Sequence, residues 1–528
     1  MSKARVGIIA GVALTILGLG ASIWIGPDDW IDSPMQVVNA GGEVGVATTY
    51  GFLSHTLPLR VTARADAGDV FVGVGHVVDV DDYVAGARVT RMEWFSPGGV
   101  QTAPAPSGGR LPAMPTSLDI WQQHATGPGE QRLDGEFAGQ PVVAFVAAVD
   151  GQSRPLHISV GSQLRGAFGI GLIVASIGAA LAAVMIVRTR HGRAAEQSAA
   201  PVSDEHPQPR SALRFIAVLI TPVLATTGCT AQPIDTNPPH VVPLPPRETV
   251  RRDPLMGLSL TTLAADYDRR NNAAIAAASA PRYSTREWEQ ADADLMLGVD
   301  HYVTAWDRES RNKQRPSICK TTLHTAFPAA ATPNYPIAVV VTRSMSCDGK
   351  PPAHQALAVY TRQHAISAWR LSSEVSIAEK DLPKPGTGQP SPQDIAQLAS
   401  SAEDLATYVS TGKAGTVAVP ASLAKQRALR VERTKWDTGR WLGWLTPGSV
   451  QIAQTSAGPI AVVSLRTHWH LTGNGDQTIG WTSKAYARVL RQPGYRRTLD
   501  VQFGLTAALG LNGGKATVLA WDLTTYLD

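Results

Sequence analysis

The chain has 528 residues, a formal net charge of +4 and three cysteines. This length is too great for one hydrophobic core and predicts about three folded units. The small charge and the absence of a dense Lys/Arg run argue against nucleic acid as a partner, and the cysteines are too few for a disulfide-built scaffold.

Two uncharged apolar segments predict transmembrane helices. They are "VGIIAGVALTILGLGASIWI", residues 6–25, and "GAFGIGLIVASIGAALAAVMIV", residues 166–187. Each is long enough as a helix to cross a hydrocarbon core of about 30 Å. Gly7/Gly11 and Ala179/Ala183 recur at one-turn spacing. This spacing either allows the two helices to pack closely in lipid or reflects a composition rich in small residues.

Charged residues next to these segments predict their orientation. The basic ones precede the first segment or follow the second: Lys3, Arg5, Arg188, Arg190 and Arg193. Because positive flanks remain in the cytoplasm, residues 27–165 are predicted to be extracytoplasmic and 188–212 to be a cytoplasmic linker.

The region between the two segments predicts a small all-β, sandwich-like domain. "LRVTARADAGDVFVGVG" and "PVVAFVAAVDGQSRPLHISV" alternate on either side of turn residues, at 65–69 and 150–151, as hairpins do. Asp79, Asp81 and Asp82 are typical of a solvated helix start rather than a calcium site. The stretches "VFVGVGHVVDVDDYVAG" and "TSLDIWQQHATGPGEQRL" carry a resemblance of residues 1–190 to uncharacterised two-span actinobacterial membrane proteins. This resemblance implies no activity.

A signal-peptide pattern occurs in the middle of the chain. Arg210 and Arg214 lead into the short apolar run "FIAVLITPVLATTG", which ends at Cys229. Thr227-Gly228-Cys229 resembles the end of a bacterial lipobox, in which the cysteine is lipidated, although Thr226 replaces the usual Leu. The alternative is a short third membrane anchor. We interpret the chain as a fusion of a two-span membrane protein and a lipoprotein, with 230–528 again extracytoplasmic.

The other two cysteines, Cys319 and Cys347, both fall in this predicted exterior. An oxidising compartment permits a disulfide between them, and the alternative is a pair of buried thiols. Because Cys347 precedes the turn-forming "DGK" at the end of an apolar strand, the bridge is predicted to join strands at a sheet edge.

The C-terminal region predicts two α+β domains, each with helices first and strands after. Helix patterns start at Leu260, at the capping box of Ser284 and Glu287, and at Ser391-Pro392. "PIAVVVTR" at 336–343 recurs as "PIAVVSLR" at 459–466, which indicates a duplication. The complete predicted layout begins with a transmembrane helix (1–26), the extracytoplasmic β domain (27–165), a second transmembrane helix (166–187) and the cytoplasmic linker (188–212). The signal-peptide-like segment (213–229), a Pro-rich linker (230–257), the first α+β domain (258–382), a short linker (383–391) and the second α+β domain (392–528) follow.

In element order, the two C-terminal domains resemble the nuclear-transport-factor-two-like (cystatin-like) rolls of actinobacterial lipoproteins. That superfamily includes isomerases and hydrolases with a carboxylate or His in an apolar cone, which makes Asp300, His301, His468 and His470 the candidates here. A His pair spaced by two on a strand needs a third ligand to bind metal, and none is nearby in sequence. A solvated strand face is therefore favoured, and no catalytic residue, cofactor or metal is assigned.

A second function class is cell-wall glycan binding. "KWDTGRWLGWLTPG" groups three tryptophans beside an arginine, although such residues are more often part of a core: Trp436, Arg440, Trp441 and Trp444. The sequence therefore predicts a membrane-anchored envelope protein that binds or scaffolds. Its partners would be the lipid bilayer and either envelope proteins or glycan, with no nucleic acid.

Overall fold

The computed structural model describes residues 3–38, 42–54, 56–96, 98–103, 107–197, 243–244, 246–247, 250, 252–255, 258–313, 315–330, 334–352, 354–434 and 437–527. The lipobox-like segment 213–229, Cys229 and Trp436 lie outside the described residues. The chain forms two compact units: Met1–Val80 with Val84–Arg247, and Asp81–Tyr83 with Glu248–Asp528.

The first unit contains two long helices, α1 (Lys3–Ile25) and α3 (Ala167–Gln197). Within them, Arg5–Ile25 and Ala167–His191 are long and apolar enough to cross a membrane, with mean hydropathies of 2.2 and 2.6. Their outward side chains are apolar and exposed; Ile23, for example, is 82% exposed. α3 continues past Val187 into the segment predicted to be a linker.

Glycines bring α1 and α3 into backbone contact. A Cβ on Gly18 would lie 2.5 Å from the Gly171 oxygen, and one on Gly11 would lie 2.7 Å from the Gly178 oxygen. Close packing of the two helices, left open by the sequence, is therefore present. The contact face of α3 is the Gly171/Gly178 stripe, whereas Ala179 is exposed.

Asp29, which follows the end of α1, forms hydrogen bonds with the start of α3. Its carboxylate accepts hydrogen bonds from the backbone N–H of Gly166 at 2.7 Å and of Phe168 at 2.9 Å. These amides belong to the first turn of α3, where helix N–H groups have no intrahelical partner and the helix dipole favours a negative charge.

All strands of the first unit belong to one nine-stranded sheet in the order β1-β9-β4-β8-β3-β5-β6, with β2 on β9 and β7 on β4. They are β1 (Trp30–Asp32), β2 (Gln36–Val37), β3 (Gly45–Thr48), β4 (Leu59–His76), β5 (Val89–Ser96), β6 (Gly99–Ala103), β7 (Trp121–Gly135), β8 (Val142–Ala148) and β9 (Leu156–Gln163). The all-β prediction agrees with these elements, but the two separate sheets of a sandwich are not found among the described residues.

The hairpin predicted at 65–69 is wrong, because Leu59–His76 is a single strand. Its register with β7 shifts between Arg64 and Asp69, so the turn-like residues form a bulge. Helix α2 (Val77–Val84) does begin near Asp79 as predicted. Asp79 is only 1% exposed, so the expected solvated position is also wrong.

In the second unit, the described residues of the first α+β part, which we call the first roll, form three α-helices over a four-stranded antiparallel sheet. Its elements are α4 (Leu260–Ala278), α5 (Trp288–Ala291), α6 (Asp294–Ser310), β10 (Cys319–Ala326), β11 (Ile337–Cys347), β12 (Gln355–Arg362) and β13 (Arg370–Ile377). The sheet order is β10-β11-β12-β13. Cys319 and Cys347 are paired residues of β10 and β11 and form the predicted disulfide, which joins the edge strand to its neighbour.

The second roll has a five-stranded sheet in the order β14-β18-β17-β16-β15. Its elements are α7 (Pro392–Thr411), β14 (Val417–Ala418), α8 (Ala421–Val431), β15 (Asp437–Thr455), β16 (Gly458–Gly473), α9 (Lys484–Val489), β17 (Thr498–Asn512) and β18 (Lys515–Thr525). As predicted, Ser391 caps α7 by accepting from the Asp394 N–H, and Pro392 occupies its first turn. α7 packs its apolar face on the sheet, where Leu398 and Leu405 are fully buried.

The two sheets also pack against each other through their other faces. Buried residues of this shared core include Val340, Val359 and Val375 from the first roll, and Val462 and Ala508 from the second. The second roll's sheet therefore buries apolar side chains on both faces. This differs from the sequence prediction, in which the face of β16 that carries His468 and His470 was solvated: further along the strand, that face contributes Ile460 and Val462 to the shared core.

Candidate functional site

Six side chains form a polar group between the helices and the sheet of the first roll. We call it the buried acid cluster: Tyr267, Asp292, Asp300, Arg343, Tyr360 and Glu374. Asp292 is 1% exposed, and Tyr360 is completely buried. Since charged and polar groups rarely occupy a core without a reason, this cluster is the strongest candidate site in the described part of the chain.

A break between two helices places Asp292 in the core. The sequence predicted one continuous helix after the capping box, but α5 ends at Ala291 and α6 begins at Asp294. Between them the chain is extended, and the Ala293 N–H donates to the Leu371 oxygen at 2.8 Å. This bridge to β13 directs Asp292 inward, whereas Asp300 projects from the second turn of α6.

The cluster is connected by hydrogen bonds and ring contacts. The Tyr267 hydroxyl donates to Asp292 Oδ1 at 3.1 Å, and Arg343 Nη1 lies 3.1 Å from Glu374 Oε2. The Arg343 guanidinium is 5.5 Å from the centre of the Tyr267 ring. The Tyr267 and Tyr360 rings meet edge to face at 5.3 Å. The two carboxyls, Asp292 and Asp300, are close enough for each to shift the pKa of the other.

Burial governs the protonation of the two aspartates. It raises the pKa of Asp292 to about 7, against the opposing effect of hydrogen bonds from Asp300 and Tyr267. Burial, followed by the charge of Asp292, raises the pKa of Asp300 well above its ordinary value. The pair therefore retains at least one proton at neutral pH, as two neighbouring carboxyls in a poorly solvated site do.

Arg343 remains charged in this environment. Burial opposes its charge, but Tyr360 and Glu374 outweigh that effect and raise the pKa of Arg343 above its ordinary value. Burial also raises the pKa of Tyr360, which is a neutral hydroxyl at physiological pH. That hydroxyl has no hydrogen-bond partner among the described residues. A buried polar atom without a partner costs about 1–3 kcal/mol unless a ligand or water satisfies it.

A cavity of about 280 Å³ adjoins the cluster. Its inner wall contains Arg343, Glu374 and Ala356, which face the helix side of the sheet. Lys350 and His354 are exposed at its mouth. The remaining lining residues are Ser344, Met345, Cys347 and Pro351. A space of this size holds a small ligand, which would contact the Arg343–Glu374 pair directly.

The arrangement can perform two chemical tasks. The cavity can bind a polar ligand through the guanidinium and the carboxylate on its wall. Behind that wall, Asp292, whose pKa is about 7, can hold and release a proton near neutral pH beside Asp300. Neither aspartate is among the residues that line the cavity, so the binding task has the more direct structural support.

Of the first-roll candidates from the sequence, Asp300 belongs to the cluster and His301 does not. His301 follows on α6, and its Nε2 atom has no hydrogen-bond partner in the described part of the chain. Sequence reasoning missed five of the cluster residues: Tyr267, Asp292, Arg343, Tyr360 and Glu374. The only signal in the sequence was Arg343, a charged residue near the end of a run of apolar residues in a strand pattern.

In the second roll, the structure brings His468 and His470 together with Asp500. His468 Nε2 lies 2.8 Å and His470 Nδ1 lies 2.6 Å from Asp500 Oδ1. The third ligand that the sequence did not place nearby is supplied across the sheet, because Asp500 on β17 pairs directly with His470 on β16. The imidazoles are about one-third exposed, with values of 33% and 34%.

Of the tryptophans proposed for glycan binding, the two that the structure describes, Trp441 and Trp444, do not share a surface. Trp441 is completely buried in the second roll's core, whereas Trp444 is 42% exposed. Both are on β15 at an odd spacing, so they point to opposite faces of the sheet. Arg440 is exposed. A stacking platform for sugar rings therefore does not form from Trp441 and Trp444.

Comparisons with known proteins give no family for this chain: neither a protein-family model nor a curated protein sequence matches it.

Proposed function

We propose that this chain is a membrane-anchored envelope protein that binds a small anionic ligand in the cavity of its first roll. The observation that carries the proposal is the cavity of about 280 Å³ whose wall contains the ion pair of the buried Arg343 and the partly buried Glu374. Pockets that bind small molecules are typically apolar spaces with a few fixed polar groups, and this cavity has that composition.

The charge of the lining favours an anion. Arg343 and Glu374 neutralise each other, which leaves Lys350 as the excess charge and His354 as a further donor at the mouth. A carboxylate or phosphate would contact these two residues, while a hydroxyl or amide deeper in the ligand would bond to Arg343 and Glu374. Ligands of this class include short organic acids and sugar phosphates.

Two features support the cellular placement in this proposal. The apolar exposed side chains of α1 and α3 suit a lipid environment. The Cys319–Cys347 disulfide suits an oxidising compartment. We therefore place residues 27–165 and 230–528 outside the cytoplasm. Protease treatment of intact cells, with mass spectrometry of the Cys229 peptide, tests this topology and the proposed lipidation; protection of 230–528 would contradict it.

Ligand binding is tested on the full chain in detergent. A thermal-shift panel of short carboxylates, sugar phosphates and inorganic phosphate identifies binders, and titration calorimetry then gives the Kd. Lys350→Ala should weaken binding by about tenfold, the loss of one charge-assisted hydrogen bond. Ala356→Leu should abolish binding by filling the cavity. Lys320→Ala is the matched control, because Lys320 is an exposed lysine of β10 outside the lining. If no compound binds, or if both cavity variants bind like the control, the proposal fails.

A further inference from the structure

We infer that His468, His470 and Asp500 form a binding site for a first-row divalent transition ion of the zinc type on the second roll. One ligand atom from each residue lies within 4.8 Å of the other two. Two imidazole nitrogens and a carboxylate oxygen are a donor set that zinc sites in proteins use.

The sheet fixes the three side chains on one face. His468 and His470 are two residues apart on β16, so their side chains project to the same side. Asp500 is the cross-strand partner of His470 on β17. Because all three come from paired central strands rather than from loops, their relative positions depend on the sheet register and not on a flexible segment.

The histidine nitrogens must move slightly away from the carboxylate oxygen before a metal ion fits between them. Both histidine nitrogens currently approach the same carboxylate oxygen, at 2.8 Å and 2.6 Å. With metal–ligand bonds of about 2.0–2.1 Å, donors around a tetrahedral zinc ion are about 3.3 Å apart. Each nitrogen–oxygen separation must therefore increase by roughly half an ångström, which side-chain rotation can supply without movement of the strands.

A second layer of contacts holds Asp500. The Gln492 side chain accepts from the Asp500 N–H at 2.9 Å and donates to the Asp500 oxygen at 2.7 Å. This pair of bonds fixes the backbone that carries the carboxylate.

A positive side chain, Arg440, lies beside the proposed metal site and favours an anion in the coordination position that the protein leaves open. Arg440 on β15 pairs with His470 from the opposite side of β16, and it is exposed. Three protein ligands leave a fourth position for water or an anion. A positive side chain near a bound dication reduces the affinity for the ion, but it favours an anion in that fourth position.

The test uses the full chain in detergent, purified without a histidine tag and treated with chelator, with no reducing agent so that Cys319 and Cys347 remain paired. Calorimetric titration with ZnCl₂ should show one Zn²⁺ bound per chain. Titration with CoCl₂ should produce the visible absorption of a low-coordinate Co²⁺ complex with nitrogen and oxygen ligands.

Two variants remove ligands with little change of shape. His470→Gln and Asp500→Asn should each weaken Zn²⁺ binding by at least about tenfold and remove the Co²⁺ absorption. His157→Gln is the matched control, because His157 pairs with Asp66 at 2.7 Å in the first unit and has no second histidine in that pair. Unfolding temperatures of the metal-free variants report whether each one folds.

Stoichiometric Zn²⁺ binding that is lost in both ligand variants and retained in the control supports the site. Absence of stoichiometric binding in the parent chain overturns it. Binding that is unchanged in folded Asp500→Asn and His470→Gln also overturns it, since the ion would then be held elsewhere.

Discussion

Arg343 and Arg466 end the recurring segments "PIAVVVTR" and "PIAVVSLR", yet they project from opposite faces of their sheets. Val341 faces the helices of the first roll, and Arg343 therefore enters the buried acid cluster. Val462 faces the core between the two sheets, so Arg466 lies on that side. The segments occupy equivalent strands, β11 and β16, but a shift of one residue exchanges their faces.

This relationship predicts unequal effects for the same substitution. Arg343→Met should lower the free energy of unfolding by about 3 kcal/mol, the low end for a broken buried ion pair, because Glu374 loses its partner but is itself only partly buried. Arg466→Met should cost less than Arg343→Met, because Arg466 is only partly buried and its contacts include a cation–π contact with Tyr526 and the charge of the exposed Asp294. Urea unfolding of the full chain, followed by tryptophan fluorescence, measures both. Equal losses would contradict the assignment of faces.

The protonation of Asp292 predicts a pH dependence of stability. Its pKa is about 7 in the folded protein and about 3.9 in the unfolded chain. Because the folded state binds the proton more tightly, this contribution is fully present below about pH 4 and is lost as pH rises to about 7. The second unit should therefore unfold at a lower temperature at pH 8 than at pH 5.

Asp292→Asn isolates that contribution. Asparagine can still accept from the Tyr267 hydroxyl but does not titrate in this range. The decline in unfolding temperature between pH 5 and pH 8 should become smaller by several degrees, roughly 2–4 °C per kcal/mol for a domain of this size. Calorimetric scans of the parent chain and the variant at both pH values give the comparison. Identical declines would show that Asp292 does not titrate as described.

The Cys319–Cys347 disulfide predicts a local loss of stability on reduction. It closes a loop with a sequence separation of 28, for which a stabilisation of about 2–4 kcal/mol is typical. Cys319→Ser with Cys347→Ser should increase amide exchange most strongly in β10, the edge strand. Hydrogen-exchange mass spectrometry of the full chain detects this change. The same double variant should show no response to reducing agent, and protection of β10 equal to that of the parent would contradict the prediction.

The glycine contact between α1 and α3 predicts a position-specific effect. Gly18→Leu should lower stability by about 1–3 kcal/mol, since a Cβ at Gly18 would lie 2.5 Å from backbone atoms of α3. Gly20→Leu is the control, because a Cβ there meets nothing within 4 Å. Size-exclusion analysis of the heated, detergent-solubilised protein distinguishes the two. Similar losses in both variants would exclude a specific contact.

Local sequence patterns were sufficient to predict several helices. The helix pattern from Leu260 predicted the start of α4, and Ser391-Pro392 predicted the start of α7. These signals depend on residues within a few turns of one another. The disulfide was also predictable, since compartment and turn position together limited the choices.

The sequence named Asp300, His468 and His470, but the complete candidate sites were not predictable because their other members depend on pairing across the sheet. Asp500 becomes a neighbour of His470 only through the register of β16 and β17. Asp292 enters the core only because Ala293 bonds to Leu371 and interrupts a helix that its own sequence favours. In the first unit, residues 65–69 have turn composition, yet pairing with β7 keeps them in one strand as a bulge.

The shared core between the two sheets also limits how this protein can be dissected. Removal of either roll would expose Val340 and Val359, or Val462 and Ala508, as a flat apolar sheet surface to water. Such surfaces promote association of chains. A truncation that ends between the rolls should therefore aggregate even when its own helix-facing core is intact, and chimaeras that exchange one roll must preserve the sheet face of the other.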